Sequence, residues 1–199
     1  MTTILAHTWD DDEVAEFAAS YVSDAALVTW LDHCEEMSNA GVTVDGYAWT
    51  DTAEARAHAA LLVDPAMRAR LDREARRFAA EHTTDLATWF DPDHAGHDLW
   101  MNRTGQGTGF WSRYLPTDPA KVFSAYALDV RRKPDAVAEF DAAKERLGDA
   151  ARALPYAETY VGDDGRIYLM HGDDTPAPAD VPRRVPLVRR LLAWWRARS

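Results

Sequence analysis

Apolar residues recur at helical spacing through most of this chain, and proline and glycine cut the pattern into short elements. Val14, Phe17, Ala18 and Tyr21 form a stripe behind a run of acidic residues suited to a helix start. Ser23 can cap a second helix with Leu27, Trp30, Leu31 and Cys34 on one face, and Gly41 sits where that helix should end. A helix is predicted over 52–63. Another opens at Asp64-Pro65, a capping residue followed by proline at the first helical position, and carries Met67, Leu71, Ala75, Phe78 and Ala79 on one face. Thr84 can cap a short helix predicted to run through Phe90, with Pro92 stopping it. Further helices are predicted over 120–130 and from Pro134, the latter striped by Val137, Phe140, Ala143, Leu147 and Ala151 and ended by Pro155.

Two segments read differently. Residues 97–103 and 108–113 flank Thr104-Gly105-Gln106-Gly107, and residues 158–161 and 166–170 flank Gly162-Asp163-Asp164-Gly165. Each has the turn chemistry of a β-hairpin. Residues 42–49, with Asp45-Gly46, are a weaker strand signal. The expected fold is therefore α+β: helices packed on a small antiparallel sheet built from two hairpins, with a C-terminal amphipathic helix. Residues 1–171 are read as a single domain, 172–185 as a Pro/Asp-rich linker and 186–199 as a basic helix.

Charge is unevenly distributed. Residues 183–199 hold six Arg and no Asp or Glu. Of 22 basic residues, removing those six leaves 16 against all 33 acidic ones, so the body is −17 and the tail +6. Such a body repels nucleic-acid phosphates, which disfavours direct binding to DNA. The lone Cys34 cannot close an internal disulfide, and no apolar run reaches the length of a membrane span. These features, with no signal-like start, suggest a cytoplasmic protein of a host cell.

The segment from Ala95 to Arg113, AGHDLWMNRTGQGTGFWSR, is the most unusual stretch. It resembles one in small proteins of bacteriophages and mobile elements that reads roughly GHDFWLTRNGHGAGFWDR. Their downstream YVGDDGKIY-like hairpin is matched by Tyr160 to Tyr168 here, and the resemblance extends over roughly 67–170. It implies a phage or mobile-element origin and no particular activity. Gln106 stands where the family has His, and residues around 117–150 are extra.

These residues bear on several chemistries. Gly105, Gly107 and Gly109 give G-x-G-x-G, but a dinucleotide loop needs G-x-G-x-x-G between a strand and a helix. A turn with positive φ is the simpler reading. His94 and His97, near Asp91, Asp93 and Asp98, are the metal-ligand candidates. Their spacing is common, and backbone hydrogen bonds of His97 and Asp98 are preferred to a metal. His97, Asp98 and Arg103 are the candidate catalytic residues, with Arg113 to hold an anion. No nucleophile accompanies them, since Cys34 lies on an apolar stripe. The Asp163-Asp164 turn is too short for an EF-hand loop. No cofactor is expected.

Leu187, Leu191, Trp194 and Trp195 share one face of the tail, with Arg189, Arg190 and Arg196 elsewhere. That helix can dock on its own body or a second copy, enter a partner's groove, or lie on a membrane surface. The leading functional expectation is a non-enzymatic accessory protein of a phage or mobile element that binds a host or element-encoded macromolecule. Acidic DNA mimicry is one version of it. The candidate contact residues are Trp100, Arg103, Gly105, Gly107, Gly109, Trp111 and Arg113, Tyr160 and Tyr168, and Arg189, Arg190, Trp194 and Trp195. The alternatives are a small-ligand or catalytic site at His97/Asp98, and a virion component. Trp30, Trp100 and Trp111 are expected to be buried. An exposed Trp100 or Trp111 would favour the binding reading.

Overall fold

A computed structural model describes residues 8–40, 53–106, 108–113 and 135–171. The strand signal at 42–49, the helix at 120–130, the 172–185 linker, the C-terminal helix and Gly107 lie outside the described residues. The described chain is mostly helical with one small antiparallel sheet, an α+β arrangement.

Helix α1 spans Asp11–Asn39 without interruption, where two helices were expected. Asp10 caps it: its Oδ1 accepts the Asp12 and Glu13 amides at 3.0 and 2.9 Å, and the Glu13 carboxylate accepts the Asp10 amide at 2.9 Å. Ser23 lies inside the helix, because nothing around it ends the apolar stripe. Helices α2 (Ala53–Leu62) and α3 (Pro65–Glu81) follow. Asp64 caps α3, its Oδ1 accepting the Ala66 and Met67 amides at 2.9 and 3.1 Å. The face of α3 made by Met67, Leu71, Ala75, Phe78 and Ala79 is buried as the spacing predicts. Its other face carries the i,i+4 pairs Asp72–Arg76 and Arg77–Glu81. Helix α4 is Thr83–Trp89.

The next element corrects the sequence reading. Residues 97–103 are no strand: they belong to helix α5, Pro92–Thr104. Asp91 caps it by accepting the His94 amide at 3.1 Å, Pro92 occupies its first turn, and Gly105 ends it in the left-handed conformation at φ 71°. Residues 110–112 are likewise no strand but a short 3-10 helix, Phe110–Ser112. Helix α6 (Ala136–Ala153) follows. Strands β1 (Ala157–Val161) and β2 (Ile167–His171) pair antiparallel with Tyr160 opposite Tyr168, as the second hairpin predicts.

The chain gathers into two units. Of the described residues, the first comprises those up to Asp24 and from Arg68 to Tyr156, and the second those from Ala25 to Met67 and from Ala157 to His171. The first unit is organised around linked rings: Phe17 lies 6.4 Å from Phe78, Phe78 6.3 Å from Phe110, and Phe90 5.2 Å from Phe110 and 5.7 Å from Phe140. Leu71, Leu86, Leu99 and Leu147 are fully buried with them. In the second unit, Val63 bridges Ile167 of β2, and the Asp64 amide donates to the Ile167 carbonyl at 2.9 Å. Cys34 is buried, and burial pushes its thiol pKa up, as expected of an inert thiol. Among the described residues no helix is long and apolar enough to cross a membrane.

Candidate functional site

The unusual segment supplies most of α5 and, after Gly105, the 3-10 helix, all in the first unit. Six of the seven buried residues of α5 fall into two helical rows, Ala95–Leu99–Asn102 and Gly96–Trp100–Arg103, and Asp98 is the seventh. Gly96 permits close approach to α1: a Cβ there would lie 2.5 Å from the Phe17 carbonyl oxygen and 2.8 Å from the Tyr21 nitrogen. Trp100 is 1 % exposed and packs edge-on to Tyr21 at 5.7 Å. Its Nε1 has no hydrogen-bond partner among the described residues.

The polar members of the segment hold it together. Asp98, fully buried, accepts Arg113 Nε and Nη2, each at 2.8 Å. Burial pushes the Asp98 carboxyl up, opposed by Arg113, which is itself held above its ordinary range by this contact. Asn102 Oδ1 accepts the Phe110 amide at 2.9 Å, and a Cβ on Gly109 would collide with it at 2.5 Å. Gly109 has φ 138°, so glycine serves both conformation and space there. Ser112 Oγ donates to the Gly109 carbonyl at 2.7 Å, and Lys144 Nζ of α6 donates to the Arg113 carbonyl at 3.2 Å.

Arg103 is buried to its end. Its Nε donates to the Pro155 carbonyl at 2.9 Å, and its Nη1 donates to Glu74 Oε2 at 2.6 Å and to the Tyr21 hydroxyl. Its Nη2 has no partner among the described residues. Burial pushes the Tyr21 hydroxyl up to about 12 despite Arg103.

His97 Nδ1 lies 3.4 Å from Asp24 Oδ1. Its pKa is raised by the bond to Asp24, burial opposing. His94 pairs instead with Asp91, Nδ1 to Oδ2 at 2.6 Å. The two imidazoles thus serve different carboxylates, and among the described residues no three His, Cys, Asp or Glu gather to hold a metal.

Trp111 differs from its neighbours. It was expected in the core, yet it is 59 % exposed, while Phe110 beside it is fully buried. Phe110 joins the ring cluster, whereas Trp111, the next residue of the same 3-10 helix, is exposed. Trp30 is partly exposed, with the His33 ring at 5.8 Å and the His58 ring at 4.9 Å. Tyr160 and Tyr168 lie on the hairpin of the second unit, stacked at 5.6 Å, with Tyr168 donating to Asp164 Oδ2 at 2.8 Å. Arg189, Arg190, Trp194 and Trp195 lie outside the described residues.

Sequence reasoning missed Ser20, Tyr21, Asp24 and Glu74 as partners of the motif, and Asn102 as the residue within it that holds the Phe110 amide. One signal was available: Ser20 and Asp24 interrupt an apolar stripe of α1, and a polar residue at a core position implies a partner. No family model matches the chain, and no curated protein or solved structure matches it either.

Proposed function

We propose that this chain is a non-enzymatic accessory protein of a phage or mobile element that binds a host or element-encoded macromolecule, with Trp111 as a principal contact. The exposure of Trp111 carries this reading. A tryptophan held outside a core that buries its immediate neighbour is costly in water and is the side chain most enriched at binding hot spots. The surrounding motif supports it. His97, Asp98, Asn102, Arg103 and Arg113 are engaged in contacts that tie α5 to its surroundings and to the ends of the 3-10 helix that carries Trp111. A fixed anchor loses less conformational freedom on binding than a mobile one. The acidic body favours a protein partner over direct contact with nucleic acid.

The reading is tested by affinity capture from a bacterial host lysate with the full chain and with Trp111→Ala. A protein retained by the first and lost by the second supports it. Failure to retain any protein, together with unaffected host restriction and nuclease activities, refutes it.

A further inference from the structure

We propose that the His97–Asp24 contact is a proton-dependent latch on the seam between α5 and the first half of α1, closed when the imidazole carries its proton. The seam is tight, since Gly96 abuts the backbone of Phe17 and Tyr21. The next residue places its imidazole against Asp24. The Asp24 side chain is 2 % exposed and the imidazole 27 %, so the carboxylate is sealed in while the ring reaches water. Protons can therefore exchange at this contact without opening the core.

Asp24 from α1, the adjacent Asp98 of α5 and Arg113 beyond the 3-10 helix act on the imidazole. Two carboxylates thus face one permanent cation, and a charged His97 balances them. Further out, His94 acts on Asp98, and Asp91 and Asp93 act on Arg113. Ser20 Oγ ties the same place together, reaching Asp24 Oδ2 at 3.3 Å and the Asp93 carbonyl at 2.6 Å. Loss of the His97 proton replaces a charge-assisted contact to a buried carboxylate by a neutral one. The raised pKa agrees with this geometry. A histidine raised on folding adds stability in full below its unfolded pKa of about 6.5 and loses it as pH rises through the folded value. The latch is therefore closed in mildly acidic solution and loosens as pH rises through the folded value. It needs no partner and goes beyond the binding reading.

The test is an NMR titration of the histidine rings in the full chain from about pH 5 to 9, with His97 assigned by comparison with His97→Gln. The expected midpoint lies above about 6.5, the Ser20 and Asp24 amides follow it, and Asp24→Asn lowers it. A midpoint at or below that value, or one that Asp24→Asn leaves unchanged, overturns the proposal. Should Asp24→Asn fail to fold, urea denaturation decides. The midpoint of the wild type relative to His97→Gln must fall between about pH 6 and 8.5, and parallel profiles overturn the latch.

Discussion

Arg113 closes on Asp98 through two hydrogen bonds of 2.8 Å, fifteen residues apart in the chain. This pair pins the end of the 3-10 helix to the middle of α5, and its two halves are unequal. Asp98 is fully buried, whereas the Arg113 side chain is 32 % exposed. Arg113→Ala strands a carboxylate in the core and should cost about 3 kcal/mol at pH 7. Asp98→Asn frees a guanidinium that can turn to water and should cost less. The Arg113→Ala defect should shrink as the solution is acidified, because burial already favours the protonated form of Asp98. Urea denaturation of both variants at pH 7 and pH 5 checks the order and its pH dependence.

Two glycines of the motif should respond differently to alanine. At Gly96 the new methyl would meet α1 at 2.5–2.8 Å, so Gly96→Ala must force the helices apart and should cost about 3 kcal/mol or prevent folding. At Gly105 no atom of the described residues lies within 4 Å of the added Cβ, and the φ of +71° opposes it. Gly105→Ala should cost about 1 kcal/mol. Thermal unfolding of the two variants side by side distinguishes crowding from backbone conformation.

Trp100 and Trp111 belong to one short segment and should differ sharply in stability. Trp100→Ala empties the space beside Tyr21 and should cost about 3–5 kcal/mol. Trp111→Ala removes an exposed ring and should change stability by no more than about 0.5 kcal/mol. Chemical denaturation checks both. A large loss from Trp111→Ala would place that ring in the core.

His33, in the second unit, should oppose His97. Burial lowers its pKa, with Glu36 acting against that shift. A histidine depressed on folding contributes stability above about pH 6.5 that is lost as pH falls toward its folded value. His33→Gln should therefore flatten the acid side of the stability profile, and His97→Gln the alkaline side. Stability profiles of the two variants between about pH 5 and 8.5 test the opposition.

Local signals in the sequence located several of these elements well. Asp64-Pro65 marks the start of α3, and Gly162-Asp163-Asp164-Gly165 marks the hairpin, because capping and turn chemistry act within a few residues. The segment around α5 departs from the hairpin its sequence suggests, although helical signals are present in it. Asp91-Pro92 begins it, Gly105 ends it, and the buried residues repeat at helical spacing. The aromatic and glycine-rich composition pointed toward a hairpin, and Gly96 reads as a helix breaker until its contact with α1 is known. The buried partners were not legible for a different reason. Asp24 lies far from His97 in the chain, and Tyr21 is separated from Arg103 by 82 residues, so only tertiary packing brings them together.

The central claim, that a charge-clamped motif holds Trp111 out as a contact, is tested most directly by measuring stability and affinity on one variant. Trp111→Ala and the wild type should be compared by thermal unfolding and by calorimetric titration with the purified captured protein. The account predicts a Tm within about 2 °C of the wild type and a Kd weakened at least about tenfold. An unchanged Kd at unchanged Tm would contradict it.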